Sequence, residues 1–378
     1  MKVILSVDAI RQPLTGVGRY TLELARHLAA IPELDLTFLQ GDALLDTLPA
    51  AASGHPLVPV VRDMLSGFSL PTSIYRRYQG YRRARALRGE TNALLHGTNY
   101  YLPAFAGRSI VTIHDVSVFT SPEYHRPDRV RYMHKEVALS LQRAELVVTV
   151  SQFSKAEITR VLGVDADRIR VIPLGIGADF HPRAPAELAK ELSTFALQPD
   201  TYCLYVGTIE PRKNLRTLLD AFEQLPAQRR SQYPLVLAGY RGWESAELHA
   251  RIAKAAREGW LTYLGYVPER QLPALIAGAR LFVYPSLYEG FGLPPLEAMA
   301  SGVPVVCSDA AALKEAAGDV AQTAPAHDAD ALARAIERAL DDETWRSQAK
   351  LRGPARAAGF RWDRCAQRTC AVYRELAA

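Results

Sequence analysis

The sequence predicts an α/β protein made of two doubly wound domains, and three observations carry that prediction. The chain has 378 residues, enough for two domains of ordinary size, and 48% hydrophobic residues to fill their cores. Short apolar runs such as Lys2–Val7, Tyr202–Gly207 and Arg280–Tyr284 end in glycine, proline or polar turns and lead into helix-periodic stretches. This strand–turn–helix rhythm starts over after a linker-like segment, Leu174–Pro182, without a visible sequence repeat.

Composition narrows the function classes. The sequence has no apolar run of about 18 residues, the length a transmembrane helix needs. The segment Met1–Asp8 is too short for a signal peptide and reads as a first strand. The cysteines, Cys203, Cys307, Cys365 and Cys370, form no CxxC pair and no zinc spacing, so a reduced cytoplasmic compartment is expected. The net charge of +5 is concentrated between Arg62 and Arg88, where seven arginines face a single acid, Asp63. Within that stretch Ile74, Tyr78 and Tyr81 fall on one helical face and Arg76 and Arg83 on another. A basic, aromatic helix over Arg76–Arg88 suits an anionic membrane surface, which would make the protein peripheral on the inner face of the membrane. The alternative is a helix with its tyrosines packed inward beneath solvated arginines. No nucleic-acid module accompanies it, and no nucleic-acid partner is expected.

In the first half, strand Lys2–Val7 leads into a glycine-containing loop, Asp8–Tyr20, and a helix over Thr21–Ala30. Gly16 and Gly18 match the start of the dinucleotide fingerprint, but Thr21 stands where its third glycine belongs, so NAD binding is disfavoured. Further strands are expected at Leu34–Leu39, Leu57–Val61, Ala93–His96 and Ser109–Ile113. His96 and the pair His114-Asp115 lie at strand carboxyl ends, where open α/β sheets bind ligands. A long helix over Asp128–Ala144, a strand, a helix capped by Ser151 or Ser154 and a last strand at Arg168–Pro173 follow.

In the second half, Arg212 and Lys213 occupy the turn after strand Tyr202–Gly207. An arginine that forks across two oxygens beside a lysine point charge suits a diphosphate. Strand Leu261–Gly265 ends in the turn Tyr266-Val267, and strand Arg280–Tyr284 runs into a loop with Gly290 and Gly292. A helix is expected to open at Pro294-Pro295, with Glu289 in the loop and Glu297 in the first turns. Its amino end offers N–H groups to an anion, and the carboxylates are strong acceptors for sugar and ribose hydroxyls. Asp165-Ala-Asp167 precedes a strand and Asp328-Ala-Asp330 opens a helix, so neither is placed to hold a divalent ion, and no metal is expected. Helices Ala329–Leu340 and Glu343–Ala349 and an amphipathic helix from Phe360 to Leu376 close the chain.

Glu289 and Glu297, with seven residues between them that include Gly-Phe-Gly-Leu-Pro, resemble the signature of family 4 glycosyltransferases, and Glu210-x-Arg-Lys-Asn214 resembles that family's second signature. The resemblance covers essentially the whole chain. It implies the GT-B fold: two Rossmann-like doubly wound domains facing across a cleft, an acceptor-side domain at 1–182, a nucleotide-sugar domain at 183–358, and a terminal helix at 359–378 returning to the first. It also implies transfer of a sugar from a nucleotide diphosphate with retention, without a cofactor. By the same resemblance Gly16, Gly18, Arg212, Lys213, Gly292 and Leu293 attend the donor phosphates. Glu297 holds the ribose, and Gly265, Tyr266 and Val267 meet the base. His114, Asp115 and Glu289 work at the transferred sugar. Thr15–Tyr20 and the His114-Asp115 context are similar to mannosyltransferase-like and rhamnosyltransferase-like members that build bacterial surface polysaccharide. The expected donor is therefore GDP-mannose or GDP-rhamnose and the expected acceptor an oligosaccharide or lipid-linked saccharide, with a UDP-hexose as the alternative donor. A sugar-nucleotide epimerase would lack the two signatures together, and a non-catalytic binding module would have no use for all their charges.

Overall fold

The structure of the chain is a computed structural model that describes residues 1–12, 14–49, 69–242 and 245–377, and of residues 69–77 the backbone alone. It contains two compact units, Met1–Gly175 with Trp362–Ala378, and Ile176–Arg361. The division falls after Gly175 and again after Arg361, close to the 182 and 358 read from the sequence.

The first unit holds a seven-stranded sheet: β1 (Lys2–Ser6), β2 (Asp35–Gln40), β3 (Ala43–Leu45), β4 (Leu94–Gly97), β5 (Ser109–Thr112), β6 (Leu146–Thr149) and β7 (Ile169–Val171). The order is β3-β2-β1-β4-β5-β6-β7, parallel except for β3. The winding reverses between β1 and β4, which opens a crevice at their carboxyl ends. The central strands are buried along their whole length, as a sheet covered on both faces requires. The strand expected at Leu57–Val61 lies outside the described residues.

Helix Gly16–Ala29 (α1) begins five residues before the expected Thr21. The Thr15 hydroxyl accepts from Gly18 N at 3.2 Å and caps it. Gly18 is needed where it stands, because a Cβ there would lie 2.7 Å from the Ala9 carbonyl oxygen. Helix Ser69–Ala86 (α2) presents Tyr78 and Tyr81 more than half exposed, 56% and 55%, so these rings do not pack inward. Arg83 is not on a solvated face: it pairs with Asp8 at 2.8 Å and covers the Tyr101 ring, while Arg82 pairs with Asp42.

The second unit is wholly parallel: β8 (Cys203–Val206), β9 (Leu235–Ala238), β10 (Leu261–Gly265), β11 (Leu281–Tyr284), β12 (Val305–Ser308) and β13 (Gln322–Ala324), in the order β10-β9-β8-β11-β12-β13. Its switch point lies between β8 and β11. Helix Leu293–Ala300 (α3) follows β11 and starts one residue before the expected Pro294.

The terminal helix, Trp362–Ala377 (α4), belongs to the first unit. Trp362, Cys365, Ala366, Thr369, Cys370 and Tyr373 form its buried stripe, which packs on α1. Ion pairs Arg374–Glu33 and Arg170–Glu375 fasten its far end.

Candidate functional site

In the second unit the loops after β8 and β11, the strands that flank the switch point, are laced together. Asn214 sits at φ 60° at the end of the Pro211–Lys213 turn, and its amide donates to the carbonyls of Pro285 (3.0 Å) and Ala326 (2.6 Å). Arg212 O accepts from Leu287 N at 2.9 Å and from Ser286 Oγ at 3.1 Å. This frame brings Glu210, Arg212, Lys213 and Glu289 into one cluster. Arg212 donates from Nη1 to Tyr288 O (2.7 Å) and Glu289 Oε2 (2.9 Å), and from Nη2 to Glu210 Oε1 (2.9 Å). Lys213 Nζ donates to Glu289 Oε1 at 2.6 Å and to the Tyr284 hydroxyl at 2.9 Å. Tyr284 and Ser286 in turn donate to Glu289 Oε1 at 3.0 and 2.6 Å. Burial of the carboxyl favours its neutral form, but Arg212 and Lys213 outweigh it and hold Glu289 down to about 2. Tyr284 and Ser286 were read from the sequence as strand end and loop. Their hydroxyls show their use only when the fold places them under Glu289.

Beside this cluster, Gly292 caps α3 at φ 137°, a conformation that favours glycine, and Leu293 is the first helical residue. Pro294 and Pro295 follow, so the first three residues of α3 carry one N–H, that of Leu293. Glu297 is buried on the same helix, 3% exposed. Gly265 ends β10 at φ 66° and its carbonyl accepts from Gly239 N at 2.7 Å. Val267 is buried, whereas the Tyr266 ring is exposed and stacks on Tyr240, centroids 4.6 Å apart. Tyr240 was not singled out in the sequence. The signal available was a tyrosine directly after the Ala-Gly end of a strand, and Tyr240 O accepts from Ile209 N at 2.9 Å, which ties it to the loop leading to Glu210.

The first unit handles its polar groups differently. His114 Nε2 lies 3.0 Å from Thr98 O. A carbonyl only accepts, so Nε2 carries the hydrogen, and in the neutral ring Nδ1 is an acceptor. Burial lowers His114 to about 4, against the smaller opposing effects of the Thr98 carbonyl and Asp115. The rings of Tyr20 and Tyr100 approach His114 edge-on at 4.8 and 6.0 Å. Asp115 Oδ1 accepts from Ser117 N (2.9 Å) and Ser117 Oγ (2.7 Å) just ahead of the short helix Ser117–Thr120. His96 is fully buried with both nitrogens engaged, Nδ1 with the Tyr373 hydroxyl (2.7 Å) and Nε2 with Thr112 Oγ1 (2.8 Å). Burial lowers it to about 3. Gly16 and Gly18 lie in the first turn of α1.

Both Asp-x-Asp strings serve as local caps: Asp165 accepts from Asp167 N and Asp328 from Ala331 N. Among the described residues no three His, Cys, Asp or Glu side chains converge on one point. No described helix is long and apolar enough to cross a membrane.

Two α/β units with mainly parallel sheets, one with two cations paired to buried carboxylates at its switch point, frame the candidate site. The family model for Glycosyltransferase Family 4 matches residues 14–180 and that for Glycosyl transferases group 1 matches residues 193–357. The chain is 45% identical to O-antigen chain mannosyltransferase B of Escherichia coli, over the full length of both. It is 32% identical to the serotype-specific mannosyltransferase WbdA of E. coli, covering 96% of this chain and 46% of that protein. Among solved structures, sucrose-phosphate synthase from Thermosynechococcus elongatus aligns with a TM-score of 0.74 at 22% identity, covering 100% of this chain and 99% of that one. WaaG, a glycosyltransferase involved in lipopolysaccharide biosynthesis, aligns with a TM-score of 0.68 at 14% identity, covering 98% and 99%. This chain belongs to the family 4 glycosyltransferases of the GT-B fold, and it is a glycosyltransferase.

Proposed function

We propose that this glycosyltransferase moves a mannosyl group from GDP-mannose to an oligosaccharide or lipid-linked acceptor in O-antigen-type synthesis, with retention and without a metal. The observation that carries the reading is that Arg212 and Lys213, adjacent in the turn after β8, both reach the buried Glu289 in the loop after β11. Departure of a nucleoside diphosphate calls for charge neutralisation rather than a strong nucleophile, and two adjacent cations supply it. Mannose as the sugar is supported by the name of the full-length relative at 45% identity. GDP-rhamnose is the neighbouring alternative and a UDP-hexose the more distant one.

In this reading Glu297 takes the ribose hydroxyls, the Gly265–Val267 turn with Tyr240 takes the base, and the Leu293 N–H adds to the cations at the phosphates. His114 accepts a hydrogen bond from a sugar hydroxyl at Nδ1. The acceptor attacks on the face the diphosphate leaves, and the departing phosphate takes its proton. Thermal-shift titration with GDP- and UDP-sugars tests the donor, because a ligand that binds only the folded state raises its apparent stability. Anomeric analysis of the product, with excess chelator present, tests retention and metal independence. A β-linked product, or activity abolished by chelator and rescued by manganese, would overturn those parts.

Membrane attachment through α2 belongs to the same proposal. It rests on the exposure of Tyr78 and Tyr81 beside exposed Arg85 and Arg88. Replacing Tyr78 and Tyr81 with Ser, and Arg85 and Arg88 with Gln, should release the protein from anionic liposomes, since each basic residue there contributes about 1 kcal/mol. Equal liposome binding by wild type and variant would refute it.

A further inference from the structure

The four charged groups at the β8–β11 switch point, Arg212, Lys213, Glu210 and Glu289, sum to zero in this structure, because each cation is already paired with a carboxylate. A diphosphate entering that arrangement would meet neutralised cations and a buried anion. The two cations are not held alike. Arg212 is fixed by three acceptors, Glu210, Glu289 and the Tyr288 carbonyl, in the fork geometry of a guanidinium. Lys213 carries its charge on a flexible four-carbon stem and is held by Glu289 Oε1 and the Tyr284 hydroxyl. Oε1 is also the oxygen that receives two neutral donors besides, Ser286 Oγ and the Tyr284 hydroxyl. Those donors keep a buried carboxylate hydrogen-bonded if its lysine departs, and an unsatisfied buried carboxylate would otherwise make departure costly.

We propose that Lys213 is an exchangeable cation, paired with Glu289 while the site is empty and transferred to the donor's diphosphate when it is occupied, with Tyr284 and Ser286 sustaining Glu289 during the exchange. Glu289 is then a counter-charge that holds down ground-state affinity for the diphosphate and so hastens release of the product. The inference rests on the reading that this loop binds a diphosphate.

The experiment is calorimetry with inorganic pyrophosphate and with GDP on wild type, Glu289→Gln, and the double variant Ser286→Ala/Tyr284→Phe, each checked for folding by circular dichroism. Glu289→Gln removes the competitor for Lys213 and should tighten pyrophosphate and GDP by about tenfold, from one uncompensated charge at close range. Its turnover should fall, with product release slowed in single-turnover against steady-state rates. Ser286→Ala/Tyr284→Phe strands the carboxylate when Lys213 leaves, and should weaken both ligands by about tenfold. The opposite signs are diagnostic, because a cluster whose only role is structural loses affinity under either change. Unchanged or weaker pyrophosphate binding in Glu289→Gln, with wild type binding normally, overturns the exchange and leaves the diphosphate site standing. Failure of wild type to bind either pyrophosphate or GDP overturns the site and the exchange together.

Discussion

The two switch points solve one problem in opposite ways. Near the first, His96 on β4 and His114 after β5 are kept neutral by burial: His96 is lowered to about 3 and His114 to about 4. Their nitrogens bond to hydroxyls and a carbonyl, and the nearby Asp115 carboxylate raises His114 by less than burial lowers it. At the second, between β8 and β11, Glu289 is as deeply placed, yet its carboxyl is held at about 2 because two cations outweigh the burial penalty. Burial alone therefore does not set the charge state of a site. What decides is whether the fold delivers a counter-charge within hydrogen-bond reach. The division is one of electrostatics: the first unit holds a neutral histidine with Nδ1 left as an acceptor, and the second holds its charges as paired ions.

The largest test of this contrast removes the charge. Arg212→Ala with Lys213→Ala should lower kcat/KM by roughly thirtyfold to a thousandfold, the effect of losing preorganised stabilisation of about 2–4 kcal/mol. Activity of the double variant within about twofold of wild type would show that the cluster does not serve the leaving group.

A smaller effect is expected at the neutral site. His114→Ala should cost about tenfold in turnover, the value of one uncharged hydrogen bond. More tellingly, the rate profile should carry no histidine ionisation near the ordinary 6.5, because His114 stays neutral down to about 4. An inflection near 6.5 that disappears in His114→Ala would mean that the imidazole works as an imidazolium.

Acid should separate the two regions. The folded values of His96 and His114 lie below 6.5, so the unfolded chain binds more protons between pH 6.5 and about 3–4, and the first unit loses stability as pH falls through that window. Glu289 is depressed from 4.5, so its contribution is complete above pH 4.5 and lost only as pH falls toward 2. Hydrogen exchange read by mass spectrometry between pH 7 and 4 should therefore rise in residues 1–175 before residues 176–361. Simultaneous opening would break the comparison, and His96→Gln should flatten the pH dependence of the first unit.

The smallest expected effect concerns the Gly16–Gly18 turn. If its N–H groups belong to the capped end of α1, Thr15→Ala should cost about 1 kcal/mol of stability with KM for the donor unchanged. A rise in KM without a loss of stability would return the turn to the ligand.

Several of these features were legible in the chain itself. The strand–turn–helix rhythm, the glycine and proline punctuation and the apolar runs of parallel strands are local, so the two doubly wound units could be read from the chain. The two charged signatures are local as well, one in the turn after β8 and the other running from the loop after β11 into α3. The start of α1 was misplaced because the glycines at 16 and 18 argue for a loop, whereas the Thr15 cap that overrides them is a side-chain bond. The resemblance placed Asp115 with His114 at the transferred sugar, but that its Oδ1 accepts from Ser117 N and Oγ follows from the fold of the turn rather than from the sequence.

What the sequence by itself determined is which residues carry charge at strand ends, since that follows from short-range pattern. Only the tertiary structure decided what each of them touches. Lys213 meets Glu289 across 76 positions and His96 meets Tyr373 across 277, because parallel β-strands bring together segments separated by whole crossovers and a terminal helix returns to the first sheet. Hydrogen-bond partners and burial, and with them the charge states of His96, His114 and Glu289, depend on those distant contacts, so no local reading of the chain could have supplied them.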